Sequence, residues 1–159
     1  MTQPTGVISA RGAKRWAGGH PWIFRSDVVE APDAPAGAVC VQDQRGRGLG
    51  VALWSPASEI AFRFVDRDPN AQLTPEWWRA RIARAVERRR PVADVASAYR
   101  VVHGEGDGLP SLVVDRYDRW LVVQLLSAGV ERFRAEIVDA LSQGVRPAGI
   151  LARNDAAVR

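Results

Sequence analysis

Residues 60–65 alternate, with Ile60, Phe62 and Phe64 on one side and Ala61 and Arg63 on the other, the period-two signature of a strand. Two further apolar runs, "AVCVQD" (38–43) and "GLGVALW" (48–54), flank "QRGRG". Glycine in that connection supports a tight turn, so the two runs are predicted to pair as a hairpin. "GVISA" lies ahead of them, and a proline- and alanine-rich loop, "EAPDAPAG", separates it from the hairpin. Strands this short, spaced by Gly/Pro turns, predict a small β-barrel.

After Asp68, Pro69 and Asn70 the pattern changes period. Thr74 is a suitable N-cap, Pro75 fits the first helical turn, and Glu76 complements the helix dipole. Trp78, Ile82, Ala85 and Val86 then share one helical face, Arg81, Arg84 and Arg88 form a solvated flank, and Pro91 is expected to end the helix. Downstream the order is strand ("YRVVH"), strand ("SLVVDR"), strand ("WLVVQLL"), helix over 129–144, and strand ("GILAR"). The second helix is predicted to bury Phe133, Ile137 and Leu141, with Gly144 as its C-terminal stop. The fold class is therefore mixed α+β, with a barrel domain over 1–72 and a small α+β domain over 73–159.

Composition sharpens this picture in one respect. Of 22 basic side chains 21 are arginine, Lys14 is the single lysine, and the net charge is +4. Arginine suits bidentate phosphate contacts and stacking on bases, so the chain favours a polyanionic partner. Cys40, the one cysteine, excludes an internal disulfide and a multi-cysteine zinc site, and its apolar surroundings predict a structural thiol. No apolar stretch reaches the length of a membrane span and no signal-peptide core opens the chain, so the expected compartment is the cytoplasm, with no membrane partner.

Two stretches concentrate candidate chemistry. In "VVHGEGDGLPSLVVDR" (101–116), Gly104, Gly106 and Gly108 suggest a phosphate loop, but such a loop leads into a helix, whereas Pro110 and "SLVVD" lead into a strand. The glycines instead fit an irregular hairpin connection with positive φ angles. His103, Glu105, Asp107 and Asp115 lack a second histidine or a nucleophile, which leaves both a metal site and a hydrolytic centre incomplete. Glu105 and Asp107 are expected to cap turns or face water. No catalytic, metal or cofactor-binding residue is assigned.

In "RWAGGHPWIFRSDV" (15–28), Gly18 and Gly19 allow close backbone approach, and Lys14, Arg15 and Arg25 supply charge. Trp16, His20 and Trp22 have rings that stack on bases, although strand aromatics such as Trp22 and Phe24 usually belong to the core.

These stretches, together with "GVALWSPASEIAFRFV" and "ILARNDAAVR", make the chain resemble, in order and over nearly its whole length, the N-terminal part of a family of S-adenosylmethionine-dependent methyltransferases. Members of that family methylate the C5 carbon of cytosine in 23S ribosomal RNA. The resemblance implies a PUA domain, an RNA-binding β-barrel, followed by a strand-strand-helix-strand-strand domain. It places RNA contacts on Gly18, Gly19 and His20, with Lys14, Arg15 and Arg25 beside them. Arg45 and Arg47, in the "QRGRG" turn, join the candidates on charge and exposure alone. The family's Rossmann-like domain, with its cofactor loop and nucleophilic cysteine, has no counterpart in this sequence, so the chain is expected to bind rather than catalyse. S-adenosylmethionine is implied for the full-length protein only. The implied partners are ribosomal RNA and that missing domain, near which Arg153 and Asp155 would lie, and a homodimer stays open. The competing reading is a stand-alone PUA-type RNA-binding protein.

Overall fold

A computed structural model describes residues 3–154, in two compact units. The first comprises residues up to 71 together with 127–132, and the second comprises 72–126 and the described residues from 133 onward.

The first unit is built on β1 (Thr5–Ile8), α1 (Ala10–Ala17), β2 (Trp22–Phe24), β3 (Val28–Glu30), β4 (Gly37–Asp43), β5 (Gly48–Trp54) and β6 (Ile60–Asp66). The strands form one sheet in the order β2-β6-β5-β4-β1-β3. Only the β1–β4 pair is parallel. The "QRGRG" hairpin forms as predicted, with Cys40 opposite Val51 and Val39 opposite Ala52. Ile8, Ile23, Val39, Val41 and Phe62 are fully buried in its core. Each contributes roughly 1.5–3 kcal/mol by leaving water. Trp16 stacks parallel on Phe64 with ring centroids 4.0 Å apart and donates its indole N–H to the Leu49 carbonyl.

The alternation over β6 has a different outcome from the one its sequence suggests. Ala61, Arg63 and Val65 are buried as fully as Phe62 and Phe64, while Ile60 is only half-buried. Arg63 tolerates this position by donating Nη1 to the Ile60 carbonyl. On the neighbouring strand Leu53 is equally enclosed, because a later helical turn, α4 (Ala128–Glu131), returns to this unit. Its Gly129 comes so close that a Cβ there would sit 2.8 Å from the Trp54 carbonyl oxygen.

The second unit contains α2 (Pro75–Arg88), α3 (Arg90–Ala93), β7 (Ala98–His103), β8 (Leu112–Tyr117), β9 (Trp120–Leu125), α5 (Arg134–Val145) and β10 (Gly149–Ala152). Its four strands run in the order β10-β9-β8-β7, parallel only between β9 and β10. α2 packs on α5 through Trp78, Ile82 and Ala85 on one side and Ile137, Ala140 and Leu141 on the other. Thr74 caps α2 by accepting the Trp77 N–H.

Three predicted details change. The helix expected over 129–144 is two helices broken at Arg132 and Phe133, because its first turn is recruited to the first unit. Gly144 does not stop α5, which runs one residue further and ends on Arg146 at φ 52°. Pro91 does not end α2 but sits in the first turn of α3, where its missing N–H leaves no bond unmade. Arg153 extends the last strand by donating its N–H to the Val123 carbonyl, and Asp155 lies outside the described residues.

Candidate nucleic-acid interface

The candidate cations cluster around α1, and local chemistry decides which of them are available. Ser9 starts the helix by accepting the Gly12 N–H, and its hydroxyl donates to Asp27. Asp27 also receives Arg11 Nε at 2.6 Å and Arg15 Nη1 at 2.7 Å, and its side chain is 1% exposed. Burial alone would push this carboxyl up. The hydrogen bonds from Arg11 and Ser9 and the charges of Arg11 and Arg15 outweigh it and hold the group below its ordinary value. Arg15 is therefore committed to the fold, and its guanidinium also covers the Phe24 ring at 5.0 Å.

Arg25 is likewise engaged. It donates to the carbonyls of Ser55, Pro56 and Ser58 and lies over the Trp54 ring. These bonds brace the loop between β5 and β6. Trp16 is lost to stacking on bases too, since Phe64 covers one of its faces and Arg67 lies over its ring at 4.2 Å. Trp22 and Phe24 are half-buried in β2.

Lys14 and Arg45 differ from these. Both are exposed, and among the described residues the ammonium and the guanidinium make no hydrogen bond or ion pair. Arg45 is presented by a tight turn in which the Asp43 carboxylate accepts the N–H groups of Arg45 and Arg47. The turn needs Gly46, which adopts φ 78°. Arg47, highly exposed, closes back on Asp43 at 3.2 Å. The Arg47 N–H first, and then the Arg45 N–H and the Arg47 guanidinium, hold Asp43 ionised below its ordinary value.

Between this turn and α1 lies a cavity of about 530 Å³, lined by Ala10, Ala13, Lys14 and Ala17 from the helix and by Asp43, Gln44, Arg45 and Arg47 from the turn. Three of the eight candidate residues thus meet around one cavity. Gly18, Gly19 and His20 form the exposed exit from α1 and do not line it. Gly19 takes φ 92°, and His20 accepts the Trp22 N–H on Nδ1. The helical spacing of Ala10, Ala13 and Ala17 beside Lys14 was a signal in the sequence that charge-based reasoning passed over.

The glycine loop of the second unit is built for a different end. Gly104 and Gly108 take φ 48° and 68° around a short 3-10 turn, as expected of a hairpin connection. Asp107, expected to cap a turn or face water, is buried, and its bond from the His103 N–H caps this turn. It accepts both Arg89 Nη groups, Arg88 Nη1 and the His103 N–H. Every acceptor site on this carboxylate is taken up by a structural donor. Among the described residues no three His, Cys, Asp or Glu side chains gather where a metal ion would fit.

Residues 7–67, which contain the whole cavity, match the PUA-like domain family. Over 144 residues the chain is 38% identical to the ribosomal RNA large subunit methyltransferase I of Cronobacter sakazakii, a stretch that covers 88% of this chain and 36% of that protein. The Salmonella arizonae protein of the same name is 35% identical over 160 residues, 98% of this chain and 40% of its own length. The chain is similar to these ribosomal RNA methyltransferases and spans about two-fifths of their length. A Streptococcus mutans protein provisionally named a SAM-dependent methyltransferase has the same fold over 97% of this chain and 41% of its own, with a TM-score of 0.84 at 17% identity. The matched stretch, residues 7–67, therefore holds both the committed arginines and the unpaired Lys14 and Arg45. No helix among the described residues is long and apolar enough to cross a membrane.

Proposed function

We propose that this chain is the RNA-binding and substrate-positioning portion of a cytoplasmic, S-adenosylmethionine-dependent ribosomal RNA (cytosine-C5) methyltransferase. The observation that carries the reading is the pair Lys14 and Arg45, left without partners beside a cavity inside a PUA-like domain while Arg15 and Arg25 are bound into the fold. Unpaired cations break no bond within the protein when they turn to phosphates, and each contact releases counterions. In this reading residues 1–72 hold the RNA, aided by the exposed Gly18–Gly19–His20 loop. The second unit is the central domain facing the catalytic part, with a second copy of the chain as a further partner.

S-adenosylmethionine does not fit the described residues. Its site takes a glycine-rich turn leading from a strand into a helix N-terminus, and the two stretches with glycines at alternate positions, 46–50 and 104–108, lead into β5 and towards β8 instead. Methyl transfer is therefore assigned to no residue here.

Fluorescence anisotropy with labelled 23S ribosomal RNA fragments at several salt concentrations tests the proposal. Micromolar or tighter binding that weakens steeply with salt is the expected result. Failure of the chain to bind any RNA at low salt would overturn it.

A further inference from the structure

We propose that the cavity between α1 and the β4–β5 turn receives a single unstacked nucleotide, its base lying on the alanine face of the helix and its phosphate held by Lys14. This rests on the RNA-binding reading above and narrows it to one site and one ligand chemistry. The volume, about 530 Å³, lies within the range of pockets that enclose small ligands. Its walls divide by chemistry in the manner a nucleotide requires. Ala10, Ala13 and Ala17 follow one another along α1 and offer a shallow apolar surface to the flat face of a base. Arg45, exposed and unpaired on the opposite wall, supplies a planar guanidinium that stacks on the other face. Gln44, also exposed, carries one amide donor pair and one acceptor that meet a base edge.

The single carboxylate in the lining does not repel the phosphate. Asp43 already accepts two backbone N–H groups and the Arg47 guanidinium, so its charge is offset within the turn. The lining then presents Lys14 and Arg45 as net positive charge towards the ligand. A duplex keeps its bases stacked and paired, so it reaches these cations with its phosphates but leaves the alanine face bare. A looped or single-stranded segment uses both.

The test compares a labelled single-stranded RNA, the same RNA with abasic sites, and its duplex, bound to the parent chain and to Ala17→Phe. Ala17 is exposed at the last position of α1, so the new ring fills the cavity without entering the core. Gln44→Trp, on the opposite wall, serves if thermal melting shows that Ala17→Phe has not folded. The parent is expected to bind the single strand about tenfold more tightly than the abasic strand or the duplex. The filled variant should bind all three alike, at the parent's duplex affinity. Cytidine and adenosine monophosphates, titrated alone, separate a free nucleotide from one presented by an RNA chain. If the parent binds RNA and the filled variant binds the single strand equally well, the nucleotide site is wrong and the RNA-binding reading stands. If the parent binds monophosphates but no RNA, the site stands and the RNA reading falls. Binding of neither removes both.

Discussion

Arg89 grips Asp107 with both terminal guanidinium nitrogens, Nη1 on Oδ1 at 2.6 Å and Nη2 on Oδ2 at 2.7 Å. The pair ties the end of α2 to the glycine loop after β7, and Arg89 also reaches the Arg100 carbonyl through Nε. The Asp107 side chain is 2% exposed and that of Arg89 is 20%. Asp107→Ala should therefore destabilise the protein by about 3 kcal/mol, because it strips the charged partner from a mostly buried guanidinium. His103→Ala should cost far less, since only the backbone N–H of His103 serves the carboxylate. Urea unfolding of the two variants checks the ranking, and equal midpoints would refute it.

The glycines of the same loop are not equivalent. Gly104 and Gly108 occupy the left-handed region, whereas Gly106 does not. Alanine at 104 or 108 should cost about 1 kcal/mol each in backbone strain. At 106 the added methyl meets only the edge of the His103 ring, at 3.3 Å, and should cost less. Thermal melts of the three single variants test this order.

Acid should unfold the protein through two buried carboxylates. Asp27 and Asp107 are both held below their ordinary value of 3.8, because charged and neutral donors outweigh the burial that would raise them. Each contribution to stability is complete above the unfolded value and is lost as pH falls through the lower folded value. Stability should hold down to about pH 4 and then decline, and the decline should be shallower in Asp27→Asn and Asp107→Asn. Denaturant midpoints measured from pH 7 to pH 2 give the answer.

Gly129 is predicted to be intolerant of any side chain. A methyl there would meet the Trp54 carbonyl oxygen at 2.8 Å and Leu53 Cβ at 2.9 Å, and it would disturb the bond from the Gly129 N–H to Ser55 Oγ. Gly129→Ala should lose about 2 kcal/mol or more through overpacking. Gly144→Ala, which meets nothing within 4 Å, should be neutral or slightly stabilising as a helix substitution. A loss at Gly144 equal to that at Gly129 would contradict the packing described.

The cations should separate by function. Lys14→Ala with Arg45→Ala should weaken RNA binding and reduce its salt dependence by about two charges, with an unchanged melting temperature. Arg15→Ala and Arg25→Ala should lower the melting temperature, since each removes bonds that hold α1 or the β5–β6 loop. Melting curves and salt titrations on these three variants and the parent distinguish the two groups.

Local pattern determined a good part of this protein. The hairpin around "QRGRG", the capped start of α2 at Thr74, the strands after it and the positive-φ loop at 104–108 all depend on neighbours a few residues apart, and the structure contains each of them. The PUA-like family match over 7–67 falls on the stretch whose motifs carry the family resemblance. Tertiary structure alone decided what depends on distant residues. The break at Arg132–Phe133 exists because six residues return to the first unit, an event that helical periodicity does not encode. Asp107 is a buried anchor because Arg89, eighteen positions away, comes to it. The sequence presents Lys14, Arg15, Arg25 and Arg45 as interchangeable charges. Only folding places a buried carboxylate beside Arg15 and carbonyls beside Arg25, and leaves Lys14 and Arg45 facing a cavity, because whether a charge is available depends on what packs against it.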